Sequence, residues 1–210
     1  MISGFYNGVK QKLFFWRKSM RNKMAVFGVA MFALVGILVM VYLPGRTENS
    51  GAGEKIKKGE YLVTLGGCND CHSPKVMTER GPMPDPARLL SGHPADEKLS
   101  EIPPGLLTPT KWGAMCNHNM TAWTGPWGVS FAANLTPDEF TGTGAWKEET
   151  FIAAMRSGKH MGAGRPILPP MPWFNYAKAS DEDLGAIFAY LKSLKPIENM
   201  VPPPIPPAGK

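Results

Sequence analysis

Cysteine and histidine are scarce in this chain, three of the one and four of the other among 210 residues. A structural zinc centre takes four ligands, usually from two Cys or His pairs at similar spacing. Here Cys68 and Cys71 form one close pair and Cys116 stands alone, which argues against zinc. Acidic residues are missing altogether from residues 1–43, which hold Lys10, Lys12, Arg17, Lys18, Arg21 and Lys23. These six account for the whole formal charge of +6, because the other 17 basic residues are matched by 17 acidic ones. Without a basic face on that remainder, nucleic acid is excluded as a partner. Long apolar runs are equally few. Residues 24–43 form one charge-free stretch of 20, and with 43% hydrophobic and 19% charged residues the chain suits one soluble domain beside a single membrane segment, not a multi-span protein.

What is present is a Cys-x-x-Cys-His, Cys68-Asn69-Asp70-Cys71-His72, following Gly66-Gly67. Two thiols at this spacing can each add to one vinyl group of a haem, and the adjoining imidazole then becomes the proximal ligand of the iron. A thioredoxin-like pair would follow a strand at the start of a helix; this one follows a helix-like run and is closed by His72. The motif therefore points to one covalently attached haem c, held by Cys68, Cys71 and His72, and to a c-type cytochrome.

Taken in order, residues 1–23 are a basic leader with interleaved aromatics, suited to the cytoplasmic or interfacial side of a bilayer. At 1.5 Å per residue, residues 24–43 are long enough as a helix to cross the roughly 30 Å apolar core. No small-x-small cleavage site follows, so a retained anchor is expected, with the N-terminus cytoplasmic and the rest periplasmic. Residues 44–53 read as a polar linker. A helix is predicted over 54–65 from Ile56, Leu62, Val63 and Leu65, another over 147–156 from Phe151, Ile152 and Met155, and a last one from Ser180, whose side chain can cap Asp181-Glu182-Asp183. Residues 73–133 carry many Gly and Pro with little periodicity and read as irregular wrapping loops. Residues 201–210 form a proline-rich tail, expected to be extended and either packed on a partner or loose.

An electron-carrying haem wants its sixth position filled, and a thioether there favours ferrous iron. Thirteen methionines are present. Met171 is singled out by Leu168-Pro-Pro-Met-Pro-Trp173, where prolines stiffen the backbone around it. His160 and Met161, in the glycine-flanked segment 158–164, are the main alternatives, and His93 and His118 more distant ones. Trp146, Trp173, Asn134 and Arg165 are candidate donors to the haem propionates. Cys116 reads as an inert thiol, with an intermolecular disulfide or a metal contact through Met115 or His118 as the alternatives.

The haem motif, Asn134-Leu-Thr-Pro-Asp138, Thr141-Gly-Thr-Gly-Ala-Trp146 and Pro170-Met-Pro-Trp173 together resemble the membrane-anchored bacterial cytochrome c family over residues 54–200. The resemblance implies a mainly α fold with an enlarged irregular loop region, preceded here by the transmembrane helix. It implies that the helix before the haem motif crosses the last one at a small residue, with Gly59 against Tyr190 or Phe188. Met171 would then be the sixth ligand, and Pro82 would supply the carbonyl that orients His72. Functionally it implies a one-electron carrier rather than an enzyme. Its donor would be a membrane quinol-oxidising complex or dehydrogenase, its acceptor a periplasmic or membrane protein. A permanently bound cytochrome subunit of a larger oxidoreductase is the alternative, and a haem enzyme with an open sixth position a more distant one.

Overall fold

The structure, a computed structural model, describes residues 48–101, 103, 107 and 110–207. The transmembrane reading of residues 24–43 and the basic leader lie outside these residues. Among the described residues no helix is long and apolar enough to cross a membrane.

Among the described residues five α-helices follow in order: α1 (Glu48–Leu65), α2 (Cys68–His72), α3 (Glu148–Ser157), α4 (Trp173–Tyr176) and α5 (Asp181–Ser193). Helix α1 begins at Glu48, so most of the stretch read as a linker is helical. Its end is a turn, in which Gly66 and Gly67 donate to the carbonyls of Leu62 and Thr64 and Gly67 takes a positive φ of 64°. Helix α5 begins as its sequence dictates. Ser180 Oγ accepts from the Asp183 amide at 3.0 Å, and three acidic residues occupy the first turn, where the helix dipole favours them.

The helices enclose one apolar core of Val63, Phe151, Leu184, Ile187, Phe188 and Leu191, to which Leu90 adds from the loop region. Phe151 stacks on Phe188 at 5.4 Å between ring centroids. Gly59 is buried where α1 meets α5. A Cβ there would lie 1.9 Å from the Ala186 carbonyl oxygen and 2.8 Å from Tyr190 Cβ, so only a hydrogen allows the backbones this close. The crossing thus falls on Ala186 and Tyr190, and Phe188 turns to the core. Ion pairs from Lys55 to Glu148 and from Lys58 to Glu182 and Asp183 tie α1 to α3 and α5.

The mainly α expectation with irregular loops is corrected by two small antiparallel sheets. Strands β1 (Lys75–Thr78) and β2 (Gly81–Pro84) form a hairpin with Val76 opposite Met83. Strands β3 (Met115–Cys116), β4 (Ala122–Gly125) and β5 (Gly128–Phe131) form a meander with Trp123 opposite Ser130. These strands hold two to four residues each, too few for alternation to stand out against the surrounding Gly and Pro. The described part of the proline-rich tail, to residue 207, folds back onto its own chain. Ile205 exchanges both backbone hydrogen bonds with Val129 on β5, at 2.8 and 2.9 Å. Gly128, with φ 93°, makes room for it: a Cβ there would sit 2.0 Å from the Ile205 carbonyl oxygen.

Candidate haem site

A cavity of about 830 Å³ opens among α2, the end of β5, α3, the 158–172 segment and the tail. Its size lies within the roughly 300–1,000 Å³ of small-molecule and cofactor sites. Cys68, Cys71 and His72 line it from α2, and Met171 from the proline segment. Core residues Val63, Phe151, Leu184 and Leu191 form an apolar wall.

Helix α2 is fixed by its own side chains. Ser73 Oγ donates to Asn69 Oδ1 at 2.7 Å and accepts from the Leu90 amide at 2.8 Å, and the Gly92 amide donates to the His72 carbonyl at 2.8 Å. His72 Nδ1 lies 2.8 Å from the Ala133 carbonyl oxygen, which accepts its proton and leaves Nε2 as the basic nitrogen. Burial holds this imidazole below its ordinary pKa, hence neutral, the form that binds a metal. Burial likewise pushes both thiols up, Cys68 and Cys71 alike. Tyr176 is pushed up to about 12 by burial, with Cys68 adding to it, and its hydroxyl donates to the Gly66 carbonyl at 2.8 Å.

The orienting carbonyl expected from Pro82 comes instead from Ala133. Pro82 pairs with Met77 in the β1–β2 hairpin and does not line the cavity. The physical reason is the sheet: β5 carries the chain past His72 and delivers Ala132 and Ala133 to the cavity wall. The proline segment is anchored from the same strand, since Ser130 Oγ donates to the Pro169 carbonyl at 2.5 Å and accepts from Trp127 Nε1 at 3.2 Å.

Of the other sequence candidates, Trp146, Arg165, Asn134 and His160 line the cavity, and Trp146 meets His160 edge-on at 5.1 Å. Asn134, however, is engaged by the fold. Its Nδ2 donates to the Ile197 carbonyl and to Thr141 Oγ1, and its Oδ1 accepts from the Thr136 amide and hydroxyl. Trp173 packs over Gly158 and is not among the lining residues. Met161 does not line the cavity either; it is 52% exposed, with φ 54°. Cys116 is exposed on β3. Sequence reasoning missed Ala133, Tyr176 and the cover that Met200 and residues 201–204 supply. A carbonyl and a folded-back tail leave no side-chain signature that could have revealed them.

Thiol pair, neutral imidazole, thioether and apolar wall around one space of cofactor size are the donor set and solvent a haem c requires, and the residues fit that group. Similarity to known proteins agrees with this. No protein-family model matches the chain. It is 31% identical over 135 residues to the gluconate 2-dehydrogenase cytochrome c subunit of Pantoea cypripedii, covering 64% of this chain and 22% of that one. It is 27% identical over 172 residues to the alcohol dehydrogenase (quinone) cytochrome c subunit of Gluconobacter oxydans, covering 81% and 28%. A third relative is the fructose dehydrogenase cytochrome subunit of Gluconobacter japonicus, 32% identical over 78 residues, covering 37% and 16%. The chain thus spans less than a third of the length of these relatives. Cytochrome c subunits of dehydrogenases recur among the matches, which supports the cytochrome c family and, with it, covalently bound haem c.

Proposed function

We propose that this chain is a one-electron transfer subunit of a membrane dehydrogenase complex, carrying a single haem c bound by Cys68, Cys71 and His72 with Met171 as sixth ligand. The observation that carries the reading is one apolar cavity lined at once by the thiol pair, the imidazole and the methionine. Haem c, when bound, supplies a one-electron iron couple. The protein's part is to hold it. The Ala133 carbonyl fixes the tautomer and plane of His72, and Ser130 pins the segment that presents Met171. The helical wall lines the space with apolar side chains. No substrate chemistry is assigned to the chain itself.

The relatives' names favour a bound subunit over a freely relaying carrier, and a dehydrogenase as the donor. We place the haem domain outside the cytoplasm, where covalent attachment resembles the bacterial process. Protease added to spheroplasts should then digest it, and protection beside a cleaved periplasmic control would overturn that location.

The test of the site is spectroscopic. Cys68→Ala and Cys71→Ala should lower or abolish holoprotein, and the denatured pyridine complex of any survivor should report one thioether fewer. Met171→Ala should open the iron to carbon monoxide, whereas Met161→Ala should not. Two intact thioethers in both cysteine variants, or carbon monoxide binding gained by the Met161 variant alone, would refute the assignment. A stable dehydrogenase partner should remain with the chain through gentle solubilisation; its loss at the first step would return the chain to a mobile carrier.

A further inference from the structure

Beside the haem-attachment helix sits a charge that plays no part in the site as described. Lys75 Nζ lies 3.2 Å from the Asn69 carbonyl oxygen, 2.9 Å from that of Asp70, 2.5 Å from that of Ser73 and 3.3 Å from that of Asn119. Its own backbone amide donates to Asn119 Oδ1 at 2.9 Å. Asn69 and Asp70 belong to the single-turn helix α2, and the carbonyls of a last turn have no amide partner within their own helix. One ammonium therefore closes that end of α2 and ties it to the turn between β3 and β4.

No carboxylate contacts this charge among the described residues, where the ion pairs involve Lys55, Lys58, Arg88, His118 and Arg156. The Asp70 carboxylate acts on it through space, without contact. Four neutral carbonyls orient an ammonium without neutralising it, and partial burial weakens solvent screening. The carbonyls of Asp70 and Ser73 that hold it flank Cys71 and His72 in the chain.

We infer that Lys75 is a positioning residue for the haem-attachment segment, and that its fixed positive charge raises the reduction potential of the haem. The inference rests on the haem reading above and adds a residue to it. Ferric iron carries one more positive charge than ferrous, so a cation held against α2 disfavours the oxidised state more than the reduced one. The carbonyl cradle fixes the ammonium in place, so little of this effect is lost to side-chain motion.

The experiment is a potentiometric titration of purified holoprotein with Lys75→Gln and Lys75→Arg, and with Lys57→Gln on the exposed side of α1 as a control for net charge. Covalent haem is verified first in each, so that absence of haem from the unaltered protein sinks the haem reading and not this one. Lys75→Gln should shift the ferrous-to-ferric ratio at a fixed poise about three- to tenfold toward ferric, tenfold being about 59 mV for a one-electron couple. Lys75→Arg should stay near the unaltered protein, as should Lys57→Gln. Should Lys75→Gln fail to mature while Lys75→Arg does, the charge is required for attachment and the positioning role stands. An unaltered potential in mature Lys75→Gln overturns the inference, as does failure of both variants to mature, which would make the site one of shape and not of charge.

Discussion

The two sides of the cavity are held by different forces. On the helical side Val63, Phe151, Leu184 and Leu191 support one another by burial, each worth about 1.5–3 kcal/mol of transfer free energy. On the sheet side the backbone is held by polar side chains that are themselves half-buried. Asn117 Oδ1 accepts from the amides of Thr121 and Ala122, and its Nδ2 donates to Glu97. Asn199 donates to the carbonyls of Ser91 and His93 and accepts from the Ala95 amide. Apolar packing tolerates exchange of one hydrophobic shape for another, whereas each of these amides has a fixed direction. A segment that follows no regular ladder must still pair its buried amides and carbonyls, and side chains do so here.

The comparison breaks first at the helix crossing. Gly59→Ala would set a methyl group 1.9 Å from the Ala186 carbonyl oxygen, and neither backbone can yield without unpacking α1 from α5. We expect a loss of about 3 kcal/mol or more in urea unfolding, above the usual range for overpacking because the clash is with backbone. A loss under about 1 kcal/mol would mean that the two helices part without cost.

On the polar side the sharpest single change is Asn134→Ala. Asn134 is 4% exposed, and its removal strands the Thr136 amide and leaves the Ile197 carbonyl only the longer bond from Thr136 Oγ1 at 3.3 Å. A cost of about 2 kcal/mol follows from the roughly 1–3 kcal/mol of an unsatisfied buried group. Hydrogen exchange should quicken around residues 195–201 before it does in α1. Uniform quickening throughout would show that the two sides unfold as one unit and that their division is geometric only.

This difference also explains what can be read in advance. Helix spacing, the Ser180 cap and the Gly59 contact are local or periodic, so 54–65 and the last helix are legible, with α1 merely starting earlier at Glu48. Cys68, Cys71 and His72 stand out in the sequence by a fixed spacing and Met171 by its prolines, and all four line the one cavity. The sheet side is not. Its strands are too short for a period, and its order depends on pairings such as Asn134 with Ile197, whose members lie 63 residues apart. Pro82 suggests itself for the His72 contact by its distance along the chain, yet Ala133 reaches the ring because β5 folds back. No property of an alanine forecasts what its carbonyl will face.

The smallest expected effect concerns His93, on the polar side. It is wholly buried against Phe131, with Nδ1 2.9 Å from Thr121 Oγ1, and Nε2 has no hydrogen-bond partner among the described residues. Burial lowers its pKa, against a weaker upward pull from Glu97. The folded protein therefore keeps this imidazole neutral at a pH where the unfolded chain, with an ordinary value near about 6.5, has begun to take up a proton. Unfolded protein then binds more protons, so stability rises with pH through the window below about 6.5 and is complete above it. One such group removes at most about 0.7 kcal/mol between about pH 7 and pH 6. His160, also held low by burial, acts with the same sign and leaves a residual slope. Asp85, Asp138 and Asp183 are held below 3.8 by their hydrogen bonds and contribute only in more acid solution. Urea midpoints at about pH 7.0, 6.5 and 6.0, which bracket the imidazole range, should fall on acidification in the unaltered protein and fall less in His93→Gln. Equal slopes would mean that Nε2 finds a partner when protonated, and the polar side would then contain no unpaired buried nitrogen to distinguish it from the rest.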